Sequence, residues 1–411
     1  MSQKHWIIFS DNNSSIDYAL DLIFNTIESP YFLELKKKKG AIFSKAEIIK
    51  FIDEENRHGI KIVTRKTSQS LKSMSSGEQK KALLDYILKT KPDFIVLDNP
   101  FDNLDRKTRT ELKERLKTIS DEIYLIQIIG RESDALPFIK TSFRLKGNTL
   151  QPLKNIKNHQ KTIYEAFDEN IPKPLTKIRV HDDILIRLEN ISVSYLNKPI
   201  LRSIHWTIKK GEFWELRGDN GSGKTTLLSM ITGENPKGYG QELYLFGQKK
   251  GSGESVWEIK EKIGYFTPSM TESFKGIHSV ENMVISGLND SVGLYIKATE
   301  AQLNLAQRWL KLAGFWDKRH QWFNELSEGN KRLVMCIRAM IKHPPLLILD
   351  ETTAGLDDTS AALFVSLVNI FAKESDTAII FVSHRDEPGL LPQYIYELQI
   401  TDTGSVGKML K

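Results

Sequence analysis

The chain has 411 residues, a net charge of +6 and one cysteine, Cys336. A chain of this length supports two or three domains with cores of their own. A lone cysteine excludes an intrachain disulfide and a cysteine-based metal site, and its apolar run Leu333-Val334-Met335-Cys336-Ile337 predicts a buried thiol in a reducing compartment. Trp6-Ile7-Ile8-Phe9 is too short for the apolar part of a secretory leader, and no apolar run reaches the roughly 18 residues of a membrane span. A cytoplasmic location is therefore expected, peripheral at the inner face of the cell membrane if another polypeptide supplies the span. Residues 1–180 hold 32 Lys and Arg against 24 Asp and Glu, whereas the rest hold 26 against 28, so the excess basicity lies in the first part.

In chain order, the first feature is Ser10-Asp11-Asn12-Asn13-Ser14-Ser15-Ile16-Asp17-Tyr18, polar and without glycine. Lys36-Lys37-Lys38-Lys39 follows, a basic run with no interleaved aromatics, which reads as a solvated loop more readily than as a contact for RNA or lipid headgroups. Ser44-Lys45-Ala46-Glu47 reads as a capping box that starts a helix to about Glu54. Then come Met74-Ser75-Ser76-Gly77-Glu78-Gln79-Lys80-Lys81, the apolar strand Phe94–Leu97 ending in Asp98-Asn99-Pro100, Asn103-Leu104-Asp105, and Leu125–Gly130. Residues 151–183, with Pro152, Pro172, Pro174 and many lysines, read as a linker in which Thr162–Phe167 could form a short helix. Three strands, near Ile184–Leu188, Ser192–Tyr195 and Ile204–Ile208, predict an antiparallel subdomain.

Gly218-Asp219-Asn220-Gly221-Ser222-Gly223-Lys224-Thr225-Thr226 fits GxxxxGK[ST], a phosphate-binding loop. Its flanks fit as well: Phe213–Arg217 reads as a strand, and Leu227–Ile231 as the first turns of a helix whose positive end faces the phosphates. Trp316, Trp322 and Phe323 read as core more readily than as a partner-facing patch. Leu326-Ser327-Glu328-Gly329-Asn330-Lys331-Arg332, Leu346–Leu349 with Asp350-Glu351-Thr352, Gly355-Leu356-Asp357 and Ile380–Ser383 with His384 complete the chain. These repeat the order of the first half, and Gly77 to Asp98 spans the same 21 positions as Gly329 to Asp350.

With this combination of motifs the chain resembles the ATP-binding cassette (ABC) superfamily over nearly its whole length. The resemblance implies an α/β fold of two tandem P-loop NTPase domains: a truncated, degenerate domain in 1–150, the linker 151–183, and an intact ATPase domain in 184–411 with antiparallel β and helical subdomains. It also implies a Mg²⁺-dependent ATPase whose single complete site joins the loop of the second half to the signature of the first. In that site Gly218, Asp219, Asn220, Gly221, Ser222, Gly223, Lys224, Thr225 and Thr226 hold ATP, and Thr225 and Asp350 serve Mg²⁺. Glu351 is the general base, His384 contacts the γ-phosphate, and Tyr195 stacks on adenine. Ser75, Gly77 and Asp105 contribute from the first half.

The second site is stripped. Aligned without a gap, Ser10–Tyr18 places Ile16 at the phosphate lysine and Asp17 at the magnesium hydroxyl; Asn99 replaces the catalytic carboxylate and Gly130 the histidine. Trp6 lies too near the start to leave room for an adenine platform, so this site is expected to hydrolyse nothing and to bind little ATP. The halves pair within one chain, so a functional monomer is expected.

Soluble ABC factors of the ribosome carry two intact loops and a long charged arm between halves, and chromosome-organising ATPases need long coiled coils; neither pattern fits. The chain is similar to the double-cassette ATP-binding proteins of molybdate transport, also described as photorepair proteins. That implies a separate transmembrane permease as partner and an oxyanion as cargo. Ile263–Ser269 lacks the glutamine that importer cassettes usually carry there, which weakens the transporter reading and keeps open the alternative, a soluble ATP-driven switch acting on a ribosome, nucleic acid or another protein.

Overall fold

The computed structural model describes residues 5–24, 26–65, 69–153, 170–274 and 276–410. The possible helix at 162–167 lies outside these residues. The described residues form two compact units: the first runs to 153 and takes in residues 354–359, and the second comprises 170–353 and 360–410.

The first unit is built on strands β1 (Trp6–Phe9), β2 (Gly40–Phe43), β3 (Phe94–Asp98), β4 (Tyr124–Ile129), β5 (Thr141–Lys146) and β6 (Thr149–Pro152), in the order β2-β3-β4-β1-β5-β6. Its pairings are parallel except for the β5–β6 hairpin. Helices α1 (Ile16–Ile23), α2 (Lys45–His58), α3 (Ser76–Lys89) and α4 (Arg106–Ile119) connect the strands. Ile7, Phe9, Ile95 and Leu97 enter one core while Trp6, Ile8, Phe94 and Val96 enter another. Such strands, apolar on both faces, are those of a parallel sheet covered on both sides. Ser44 caps α2 by accepting from Glu47 N–H at 3.1 Å, and the helix runs past Glu54 to a left-handed Gly59. The reciprocal half of the expected box is replaced by an ion pair of Glu47 with Lys50 at 3.6 Å.

In the second unit β7 (Ile184–Tyr195), β8 (Lys198–Lys209), β10 (Glu242–Leu245) and β11 (Gln248–Lys249) form an antiparallel sheet in the order β11-β10-β7-β8. The two strands expected within 184–195 are one, because the chain continues through an irregular register between Leu188 and Ile191, with Asn190 at φ 55°. A second sheet is formed by β9 (Phe213–Gly218), β12 (Ile263–Phe266), β13 (Leu346–Asp350), β14 (Ala378–Val382), β15 (Tyr394–Gln399) and β16 (Val406–Met409). Its order, β12-β13-β14-β9-β15-β16, is that of the first unit strand for strand.

Helix α5 (Lys224–Ile231) follows β9, and α6 (Val256–Glu261), α7 (Pro268–Ser273), α8 (Val280–Ile285), α9 (Glu300–Leu312) and α10 (Glu328–Met340) lie before β13. Between loop and signature the first unit has α2 as its one α-helix beyond α1 among the described residues, which agrees with its shorter spacing. Helix α11 (Asp358–Glu374) links β13 to β14. Cys336 is fully buried in α10, and burial raises its thiol pKa well above the ordinary value. Phe323 is core, whereas Trp322 is 48% exposed, so the apolar trio divides between the two readings. Among the described residues no helix is long and apolar enough to cross a membrane.

Candidate active site

The loop after β9 has the backbone its glycines allow. Gly218 has φ 150°, and a Cβ there would lie 2.5 Å from Ser222 Oγ and 2.8 Å from the Leu398 carbonyl. Gly223 has φ 92° and is the N-cap of α5, where it offers no side chain to the first-turn amides. Lys224 is buried, and its ammonium donates to the carbonyls of Gly218 at 2.7 Å and Asp219 at 3.1 Å, so it lies folded over the loop. Ser222 Oγ is buried without a hydrogen-bond partner among the described residues. Orphaned buried hydroxyls are uncommon and call for a partner. Asn220, Gly221, Thr225 and Thr226 complete the turn and the first turn of α5.

The strand ends bring two carboxylates beside this loop. Asp350 closes β13, and burial together with the charge of Glu351 raises its pKa to about 6 against the pull of Lys224 and His384. Tyr265 Oη lies 3.5 Å from Asp350 Oδ2. Glu351 stands in a left-handed conformation, φ 54°, with its N–H bonded to Val382 O at 3.0 Å. His384 Nε2 lies 2.5 Å from Glu351 Oε1. Burial opposes charge on Glu351, but the hydrogen bond and charge of His384, with Lys224, outweigh it and hold this carboxyl below its ordinary pKa. His384 Nδ1 is buried without a partner among the described residues. The loop, the two carboxylates and the histidine thus converge at the carboxyl ends of parallel strands, where open α/β sheets bind ligands.

Tyr195 ends β7 and is 41% exposed, not a core tyrosine. Its hydroxyl accepts from Asn235 Nδ2 at 2.9 Å, and the Lys237 ammonium lies 5.7 Å from its ring centroid. Asn235, Lys237 and Tyr265 escaped sequence reasoning because no motif marks them; the contacts arise from strands and turns distant in sequence.

The first unit repeats this frame with other residues in the same places. Ile8 pairs with Ile128 as Leu216 pairs with Val382, so the gap-free alignment is the register of the two sheets. Asn99 takes the place of Glu351, with φ 41° and its N–H on Ile128 O, and its Oδ1 accepts from Gly130 N–H at 3.2 Å where Glu351 meets His384. Ser75 caps α3 in a full capping box with Glu78, whose carboxylate accepts from Ser75 N–H at 2.8 Å and from its hydroxyl at 2.7 Å. Gly77 lies against Thr108, whose Cγ2 would stand 2.9 Å from an added Cβ. Asp105 is the N-cap of α4, accepting from Thr108 N–H at 2.7 Å.

Comparison with known proteins agrees with these motifs. A family model described as ABC transporter matches residues 201–354. The Escherichia coli ABC transporter ATP-binding protein ModF is 36% identical over 79% of this chain and 69% of its own length. An uncharacterised ABC transporter ATP-binding protein of Schizosaccharomyces pombe is 29% identical over 82% of this chain and 70% of its own. Among solved structures, that of an archaeal ribosome recycling factor in complex with a ribosomal stalk protein covers 98% of this chain, with 85% of its own covered. The TM-score is 0.61 at 15% identity, a likeness of fold.

Proposed function

The chain belongs to the ATP-binding cassette superfamily, and we propose that it hydrolyses ATP at one site, built on Gly218–Thr226, and uses that cycle to energise a partner. The observation that carries this reading is the Glu351–His384 pair beside Lys224, set against Asn99 and Gly130 in the first unit.

The residues suit the parts such a reaction needs. Backbone amides of the loop and Lys224, released from the carbonyls it now contacts, bind the phosphates; Ser222 Oγ supplies a donor that has no partner among the described residues. Thr225 Oγ1 and the Asp350 carboxylate form a hard oxygen donor set fit for Mg²⁺, and a buried carboxyl with a pKa of about 6 favours a cation beside it. When bound, Mg²⁺ neutralises charge on the phosphate oxygens. Glu351, held ionised by His384 and Lys224, orients the attacking water and accepts its proton as the new bond to the γ-phosphorus forms and the bond to the β–γ bridging oxygen breaks, leaving ADP and phosphate. His384, fixed through Nε2, faces the γ-phosphate. Tyr195, fixed by Asn235, offers the adenine platform. Ser75 and Gly77, at the start of α3, and Asp105, at the start of α4, are the first-unit residues whose part in nucleotide binding remains to be tested by substitution.

Glu351→Gln should still bind ATP with Mg²⁺ but turn it over at least about 100-fold more slowly. One nucleotide per chain is expected in that variant; two would sink the one-site reading.

For the partner, the likeness to ModF and other transporter ATP-binding proteins supports a membrane permease, with an oxyanion such as molybdate as the cargo to test. Pro268 and Ser269 instead of a glutamine after β12 favour the second reading, a soluble switch on a ribosome, nucleic acid or protein. Tagged Glu351→Gln recovered with a membrane protein supports the first reading, and its cosedimentation with ribosomes in low salt supports the second.

A further inference from the structure

The second unit holds an ion pair that no motif marks. Lys250 follows β11 and donates its N–H to Leu243 O at 2.8 Å, so its backbone is tied to β10. Its side chain is fully buried, and its ammonium lies 3.5 Å from Glu254 Oε1, whose side chain is 4% exposed. The Glu254 carboxylate also accepts from the N–H groups of Gly251 at 2.7 Å and Ser252 at 3.0 Å. On another side the Lys250 ammonium lies 4.9 Å from the centroid of the Tyr239 ring.

The turn between α5 and β10 closes over this lysine. A Cβ on Gly233, at φ 77°, would stand 3.4 Å from Lys250 Nζ, and one on Gly238 would stand 3.7 Å from Lys250 Cγ. The turn therefore rests on Lys250 at both ends, at the head of the side chain and along its stem. Between the two glycines lies Asn235, which is buried. Its Oδ1 accepts from Lys237 N–H at 3.0 Å, while its Nδ2 donates to Tyr195 Oη at 2.9 Å and to Ser229 Oγ at 3.0 Å. Tyr195 is thus tied to α5 through a turn that Lys250 underlies.

We propose that the Lys250–Glu254 pair is a positioning unit for Tyr195: it supports the 233–239 turn, and the turn holds the ring through Asn235. A buried ammonium keeps its partners close, since any other arrangement leaves a charge unpaired in a dry interior. An apolar side chain of the same length would fill the space without fixing the distance to Glu254 or attracting the face of the Tyr239 ring. The effect on nucleotide rests on the ATPase reading above, with Tyr195 against adenine; the support of the turn does not.

The test uses the full chain with Mg²⁺. Lys250→Met keeps the stem and loses the charge. In it, deuterium exchange of the Lys237 amide should quicken roughly 5- to 10-fold, the loss of a neutral hydrogen bond. The KM for ATP should rise about 3- to 10-fold, the worth of an aromatic contact, with kcat within about twofold. Inhibition by inorganic tripolyphosphate, which has no base to stack, should stay within about twofold, whereas a general folding defect would weaken it too. Glu254→Gln, which keeps an acceptor for the Gly251 amide, should move both readouts the same way by less. Unchanged Lys237 exchange in both variants overturns the proposal. So does a loss of tripolyphosphate inhibition as large as the rise in KM, or an undiminished KM effect of Lys250→Met in the Tyr195→Ala background. If the parent protein hydrolyses no ATP, the ATPase reading fails, while quickened exchange at Lys237 still upholds the support of the turn.

Discussion

Lys80 offers a sharp test of how the first unit holds its signature helix. Its ammonium, buried, donates to the carbonyls of Pro100 at 2.8 Å and Asp102 at 2.7 Å and reaches Asn99 O at 3.4 Å. It thereby ties α3 to the turn after β3, which Ser76 Oγ also grips through Asn103 O at 2.7 Å. In Lys80→Met the apolar stem is kept and two close carbonyls lose a charged donor, at about 1–3 kcal/mol each. Relief from burying the ammonium offsets part of this, leaving a net loss of about 2–4 kcal/mol. The sister position predicts the rescue: Arg332, three residues after its signature glycine as Lys80 is after Gly77, donates to Thr352 O at 3.2 Å. Lys80→Arg should therefore cost under about 1 kcal/mol. Urea unfolding followed by circular dichroism measures both variants. A Lys80→Met variant within 0.5 kcal/mol of the parent, an order-of-magnitude bound for an ordinary surface change, would refute the reasoning.

Gly218→Ala should weaken ATP binding more than about tenfold in a fluorescent-nucleotide titration, because its Cβ meets both Ser222 Oγ and the Leu398 carbonyl at a φ that side chains resist. Asn99→Glu should not create a second hydrolytic site: placed in the Glu351→Gln background it should leave ATP turnover at the Glu351→Gln level, and it should cost about 1 kcal/mol through the lost Gly130 bond. Asp98, raised to about 6 by burial and by Asp102 against the pull of Asn99 and Lys80, titrates higher folded than unfolded. Its charge therefore costs stability above pH 6, by about 3 kcal/mol at most, and the cost vanishes as pH falls towards the unfolded value near 4. Asp98→Asn should stabilise the protein by about 1–3 kcal/mol at pH 8 and by little at pH 4, read from melts across that range.

The parts of the site legible in the sequence are those set by covalent spacing. Gly218–Thr226 announces itself because backbone approach to phosphate needs glycines at fixed intervals, and Asp350-Glu351 because a buried parallel strand is an apolar run that ends where polar groups begin. The equal 21-residue spacing and the gap-free alignment of Ser10–Tyr18 translate directly into the identical strand orders. Side-chain partners were not legible. Nothing near Tyr195 in sequence points to Asn235, and nothing near Lys80 points to the carbonyls of residues 99–102. The merger of two expected strands into β7 turns on Asn190, whose tolerance of positive φ lets an irregular pairing replace a turn.

The losses in the first unit are coordinated replacements rather than scattered decay. Asparagine suits the left-handed position that Glu351 occupies with strain, and its amide satisfies Gly130 N–H. Serine at the place of Gly223 closes the helix end that glycine leaves uncapped, and Ser14 spends on Asp11 and Leu145 O the hydroxyl that in Ser222 has no partner among the described residues. Each exchange removes a group useful to a nucleotide and satisfies a backbone or hydroxyl group that the loss would have left unpaired, so the sheet, its register and its helices keep their stability without a ligand. It follows that the way back is closed to single substitutions. Restoring one carboxylate, as in Asn99→Glu, breaks a satisfied bond and still faces a loop in which Asn13 N–H and Ser14 Oγ are held by Asp11.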